Sequence, residues 1–359
     1  FNAGVTTTNG GGVTITNSGV LTIGSSADMT LDGAFTQDGA GVVSVAGQIT
    51  TNEDNIVFNS PVTLIGDAVF SSGSGGGDIS FVGTLNGSGN GESLLIDSGQ
   101  GSINFGQSVG DAEAIGSATL QGASILIQGD FHTSGDLVLT TDSLTLSGGT
   151  DAISGTGTLV VQPRSPDTSI GIGGAPGDFQ IGVTTLQAFA NGWSTIYLGR
   201  ADGNGAMQIE SITVRDPTVF REPEPGGSIS VLGRITAIDD ATVLFETPDL
   251  NMQSEVFFTN SLTTYGEPLI FPDNSVIASN VTFDTTGGGS IPEGAPITFQ
   301  GRVNADAAEN NRTLTLNAGS EGDITFQGAV GNEESFASIT IQNARDVTLQ
   351  GSLQAGSFV

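Results

Sequence analysis

The chain has 359 residues, no cysteine, 55 glycines and only 13% charged residues, with a formal net charge of −30. Thirty-eight acids face eight bases, every base is Arg, and the first 163 residues contain no base at all. A field of one sign opposes nucleic acid and anionic lipid as partners, since both need Lys or Arg to neutralise phosphate. Hydrophobic content of 36% is ample for a packed core, and glycine follows no three-residue period, so disorder and collagen are excluded.

From Val13 the chain is a procession of short strands: Val13-Thr-Ile-Thr, Leu21-Thr-Ile, Met29-Thr-Leu, Val42-Val-Ser-Val, Asn55-Ile-Val-Phe and Val62-Thr-Leu-Ile. Most alternate apolar residues with Thr or Ser, the period-two signal of a strand. Gly, Asn, Asp and Ser fill the gaps and suit turns. Ile56, Ile79, Ile103 and Ile125 head equivalent strands at intervals of 23, 24 and 22 residues. Such an interval holds two or three strands with their turns, which is one coil of a parallel β-helix, or β-solenoid. About 16 coils stacked at roughly 4.8 Å would make an elongated rod of roughly 75 Å.

The unit recurs as Gly77-Asp-Ile-Ser-Phe-Val-Gly, Gly101-Ser-Ile-Asn-Phe-Gly, Ala295-Pro-Ile-Thr-Phe-Gln-Gly and Gly322-Asp-Ile-Thr-Phe-Gln-Gly. Ile and Phe stand two apart and therefore share a face. Residues 77–131 match 295–353 with an offset drifting from 218 to 222, so a module of about 220 residues overlies the coil repeat. This divides the chain into coils over 1–162, an embellished segment over 163–270, and coils over 271–359 that repeat the 77–131 module. In the middle segment, Thr184 with Gln187 three later and the Asn191-Gly192 stop predict one short helix. Pro217, Pro223 and Pro225 predict a bulged coil.

The Ile-Thr-Phe-x-Gly-x-Val block and Leu314-Thr-Leu-Asn-Ala-Gly319 resemble the filamentous-haemagglutinin-like secreted repeat proteins of bacteria. Thr168-Ser-Ile-Gly-Ile-Gly-Gly, Ile196-Tyr-Leu-Gly-Arg-Ala-Asp-Gly-Asn-Gly205 and Val214-Arg-Asp-Pro resemble a block of the giant cyanobacterial members. The resemblance implies a right-handed parallel β-helix, export, and a role as adhesin or extracellular fibre, with no catalytic residue. A cysteine-free chain suits an exported protein. No apolar run approaches the length of a membrane span. The strand pattern runs to Val359 without a polar cap, and the chain opens on Phe1, so continuation by a longer chain or another copy is expected.

Candidate chemistry is sparse, and no catalytic, cofactor or metal site is assigned. Gly171-Ile-Gly-Gly-Ala-Pro-Gly177 imitates a nucleotide loop but has Pro176 where the third fingerprint glycine belongs, which reads as a solenoid turn. His132 is the only histidine, and its flanking Asp130 and Ser134 are neighbours in sequence rather than groups converging in space. Asp239-Asp240 with Arg234 is the best acid pair for a polysaccharide-cleaving β-helix, although surface turn acids explain it equally well. Asp202-Gly-Asn-Gly205 and Asn52-Glu-Asp-Asn55 offer oxygen ligands for Ca²⁺, without EF-hand spacing, and Gly75-Gly-Gly-Asp78 lacks the calcium nonapeptide spacing. Trp193, Tyr197 and Tyr265 could stack on sugars, but three scattered aromatics make no platform. The expected function is a structural segment of an extracellular fibre or cell-surface adhesin, joined end to end through strand edges. A carbohydrate-binding or carbohydrate-cleaving β-helix is the alternative, and the stalk of a secreted toxin or adhesion system a third.

Overall fold

The structure is a computed structural model. It describes all residues except 234, 240, 242, 248–249, 253–255, 259–260, 265, 267 and 272–273; for residues 237, 250–252 and 256–258 it describes backbone only. Parallel strands stack as a β-solenoid of about 15 turns of about 22 residues, and 3% of the chain is helical. The chain divides into two compact units, Phe1–Arg164 with Gln187–Ser194, and Ser165–Leu186 with Thr195–Val359.

In the first unit the isoleucine spacing is the register itself. Ile56 pairs with Ile79, Ile79 with Ile103, and Ile103 with Ile125. All four are buried. Two residues on, Phe58, Phe81 and Phe105 follow the same register. Their rings stack at 5.2 and 5.4 Å with interplanar angles of 8° and 9°. Identical residues one coil apart thus pack as columns, and parallel pairing in register is what permits this. Outward positions carry Ser80 and Asn104, which tolerate stacking because they bear no charge. The column then changes character: Ile125 pairs with Leu144, a step of 19 residues.

The second unit repeats the device. Ile297, Ile324 and Val347 form one column, with Phe299 stacked on Phe326 at 5.1 Å and 4°. Residues that match across the 220-residue offset, Ile79 with Ile297 and Ile103 with Ile324, therefore stand at equivalent places in their own units. Thr298, Thr325 and Thr348 form the outward column of the same strands.

The short helix spans Val183–Ala188. It starts two residues earlier than the capping pattern implied. Leu186 N donates to Gly182 O at 3.0 Å, so Gly182 sits at the cap and Thr184 lies inside the first turn. The chain leaves the strand Phe179–Ile181 and enters the helix with no spare residue to place Thr184 at the cap. Just before it, Ile170–Ile172 pairs in parallel with Phe179–Ile181, a step of nine residues from strand to strand. No helix among the described residues is long and apolar enough to cross a membrane.

Candidate functional site

Acidic and amide side chains at the turns act first as structural parts. Asn55 Oδ1 accepts the Asp78 N–H, and Asp78 Oδ1 accepts the Ser102 N–H, both at 2.8 Å and each one coil further on. Asp28 does the same for Gln48, Asp67 for Ser93, and Asp136 for Thr158. A side chain just ahead of one strand satisfies the backbone of the next coil, which explains why acids collect at turns. The Ser93 N–H holds the Asp67 carboxyl below the ordinary carboxylate range. Glu92 is buried, which pushes its carboxyl up, but bonds from Ser88 Oγ, Ser88 N–H and Asn90 together outweigh burial and hold it at about 2.

Parts of the calcium candidates are engaged in contacts of this kind or in ion pairs. Asn52 Nδ2 donates to Asp32 Oδ1 at 3.0 Å, and Asn55 and Asp78 serve the backbone as above. Both oxygens of Asp202 are taken by Arg200, at 2.7 and 2.9 Å. No group of three His, Asp or Glu side chains able to hold a metal occurs among the described residues.

Every described arginine meets a carboxylate. Arg164 pairs with Asp142, Arg200 with Asp202, Arg215 with Asp239, and Arg221 with Glu246. In the C-terminal coils, Arg302 pairs with Glu333, Arg312 with Asp306, and Arg345 with Asp323. Arg312 holds Asp306 down at about 2. The guanidiniums are therefore committed before any anionic partner arrives.

The remaining sequence candidates are dispersed or occupied. Gly173 and Gly174 take φ of +70° and +100°, and a Cβ on Gly171 would overlap the Ala175 carbonyl. The glycine loop is thus closed upon itself. Asp239 pairs with Arg215, while Asp240 and Arg234 lie outside the described residues, as does Tyr265. Trp193 is buried against Gly155, where it cannot stack on a sugar. Tyr197 is covered by the Arg221 guanidinium, 3.8 Å above its ring.

The structure brings together two sets of groups that stand far apart in the sequence. His132 Nδ1 lies 2.6 Å from Ser154 Oγ, because His132 pairs with Ser154 one coil later. Asp130 and Ser134 do not supply this contact; the Asp130 carbonyl takes Val109 N–H, and Ser134 Oγ turns to the Ile115 carbonyl. A nucleophile touches a base here, and the flanking acid plays no part in orienting that base as nucleophilic catalysis requires. The second is a polar groove across successive turns of the first unit, lined by Thr30, Asp32, Thr50, Asn52, Glu53 and Ser74.

The fold defines a parallel β-solenoid repeat protein. Comparison with family models, curated proteins and solved structures finds no match.

Proposed function

We propose that this chain is a structural segment of an extracellular fibre or cell-surface adhesin of the filamentous-haemagglutinin-like kind. The observation that carries the reading is the column of like residues that parallel pairing stacks coil after coil, Ile56 on Ile79 on Ile103 and Ile297 on Ile324. In the coil that holds it, Val347–Leu349 bonds to Ile324–Phe326 on one edge, and Val347 and Leu349 are 42% and 44% exposed. Phe358 is likewise 42% exposed. An apolar, hydrogen-bonding strand edge is a template for a further strand. The occupant proposed for it is another copy of this chain. The mechanism is mechanical: columns carry load along the stack, and the acidic turns keep neighbouring stacks apart. No reaction is assigned to it, and on this reading the chain is exported from the cell.

Immunogold labelling of intact source cells tests the location. Label on the surface or on extracellular fibres is expected, and label confined to the cytoplasm would overturn the reading.

The polar groove favours carbohydrate recognition as a second reading, because hydroxyl, amide and carboxylate groups in a cleft suit sugar hydroxyls. A glycan array with a reducing-sugar assay separates the two. Specific binding weakened by Asp32→Ala supports the groove, and silence in both assays removes it.

A further inference from the structure

The turn Arg200–Gly205 closes over Glu222, the most completely enclosed acid among the described residues, at 0% exposure. Glu222 Oε2 accepts the Gly205 N–H at 2.9 Å, while Oε1 is buried with no hydrogen-bond partner. The enclosure is tight. A Cβ on Gly203 would lie 2.5 Å from Glu222 Oε2, so a larger residue there would require the carboxyl to move. Backbone bonds zip the two turns together: Glu224 N–H to Gly203 O at 2.9 Å, and Ser228 N–H to Gly205 O at 3.0 Å.

The charged groups of the surrounding elements compensate this carboxyl only in part. Arg200 and Asp202, on the covering turn, are paired with each other. Arg221 and Glu246 are likewise paired, and the Glu246 carbonyl of the next coil accepts the Glu222 N–H at 2.8 Å. Glu224 on its own turn is another acid, and Asp167 on the preceding turn is bonded to Ser165. One backbone donor and an orphaned oxygen are poor compensation for a buried negative charge.

We propose that Glu222 is a proton-operated latch: protonated, it keeps the Arg200–Gly205 turn closed, and on losing its proton to solvent it opens that turn to water. Burial, opposed in part by the Gly205 N–H and by Arg200, pushes the carboxyl up to about 7, so the latch works near neutrality. The sign follows. The folded value lies above that of an unfolded glutamate, so the closed turn is fully held at acid pH. That hold is lost as pH rises through about 7. The inference concerns this turn alone and does not depend on the fibre reading.

Hydrogen exchange of 201–205 in the full chain tests it, in a His132→Asn background that removes the only imidazole. After correction for intrinsic rates, protection is expected to fall at least tenfold from pH 5.5 to 8.5. In Glu222→Gln, a neutral side chain of the same shape, it is expected to stay level. A carbon-13 titration of the Glu222 carboxyl in the unaltered residue gives a second readout that needs no Glu222 variant. Its midpoint is expected near neutrality. A midpoint in the ordinary carboxylate range, or an equal loss of protection in Glu222→Gln, overturns the proposal.

Discussion

At the scale of single residues, a turn carboxylate in this protein is a backbone acceptor before it is a charge. Asp78 shows the consequence. Replacing it with Ala leaves the Ser102 N–H without the acceptor it now meets at 2.8 Å. A loss of about 1 kcal/mol, the usual worth of such a bond, is expected in a denaturant titration. Glu92 adds a pH dependence of the opposite sign to that of Glu222. Its folded value of about 2 lies below that of an unfolded glutamate. Its contribution is therefore present above the unfolded value and lost as pH falls towards about 2. Melting of Glu92→Gln against the unaltered chain should show a gap near neutrality that closes in acid. Gly155 is a third case, since any Cβ there overlaps the Trp193 ring. Gly155→Val is expected to cost about 1–3 kcal/mol and to shift the fluorescence of the only tryptophan.

At the scale of elements, the column is the unit of stability. Phe81 stands between Phe58 and Phe105 and is 1% exposed, so truncation opens a cavity touching three coils. Phe81→Ala should cost about 3–5 kcal/mol, whereas Ser80→Thr on the outward column should stay within about 0.5 kcal/mol. Here the sequence was most legible. The repeated Ile-x-Phe strands declared their partners by spacing alone, because parallel strands in register place like residues side by side. Legibility ended where the spacing changed. The 19-residue step from Ile125 to Leu144 and the nine-residue step from Ile170 to Phe179 have no repeated motif to announce them. The sites were hidden for the same reason. Ser154 reaches His132 only through a 22-residue register, and Glu222 is enclosed by a turn 17 residues away. A reading of the sequence weighs neighbours in the chain, whereas a solenoid makes neighbours of residues one coil apart.

At the scale of the whole molecule, charge and edge carry the argument. Thirty-eight acids against eight arginines leave repulsion that salt screens, with a Debye length of about 10 Å at 0.1 M. Lateral association, followed by light scattering, should therefore increase from low to near-molar salt. Melting should be equal in chelator and in excess Ca²⁺, since the candidate turns spend their oxygens on Arg200 and on backbone. The central claim is that the strand edge at Val347–Leu349 accepts a further strand. Electron microscopy of the purified chain at rising concentration tests it most directly, alongside a variant carrying Val347→Lys and Leu349→Lys. End-to-end filaments that the variant fails to form are the expected result. Short separate particles at every concentration, or filaments unchanged by the two lysines, would contradict it.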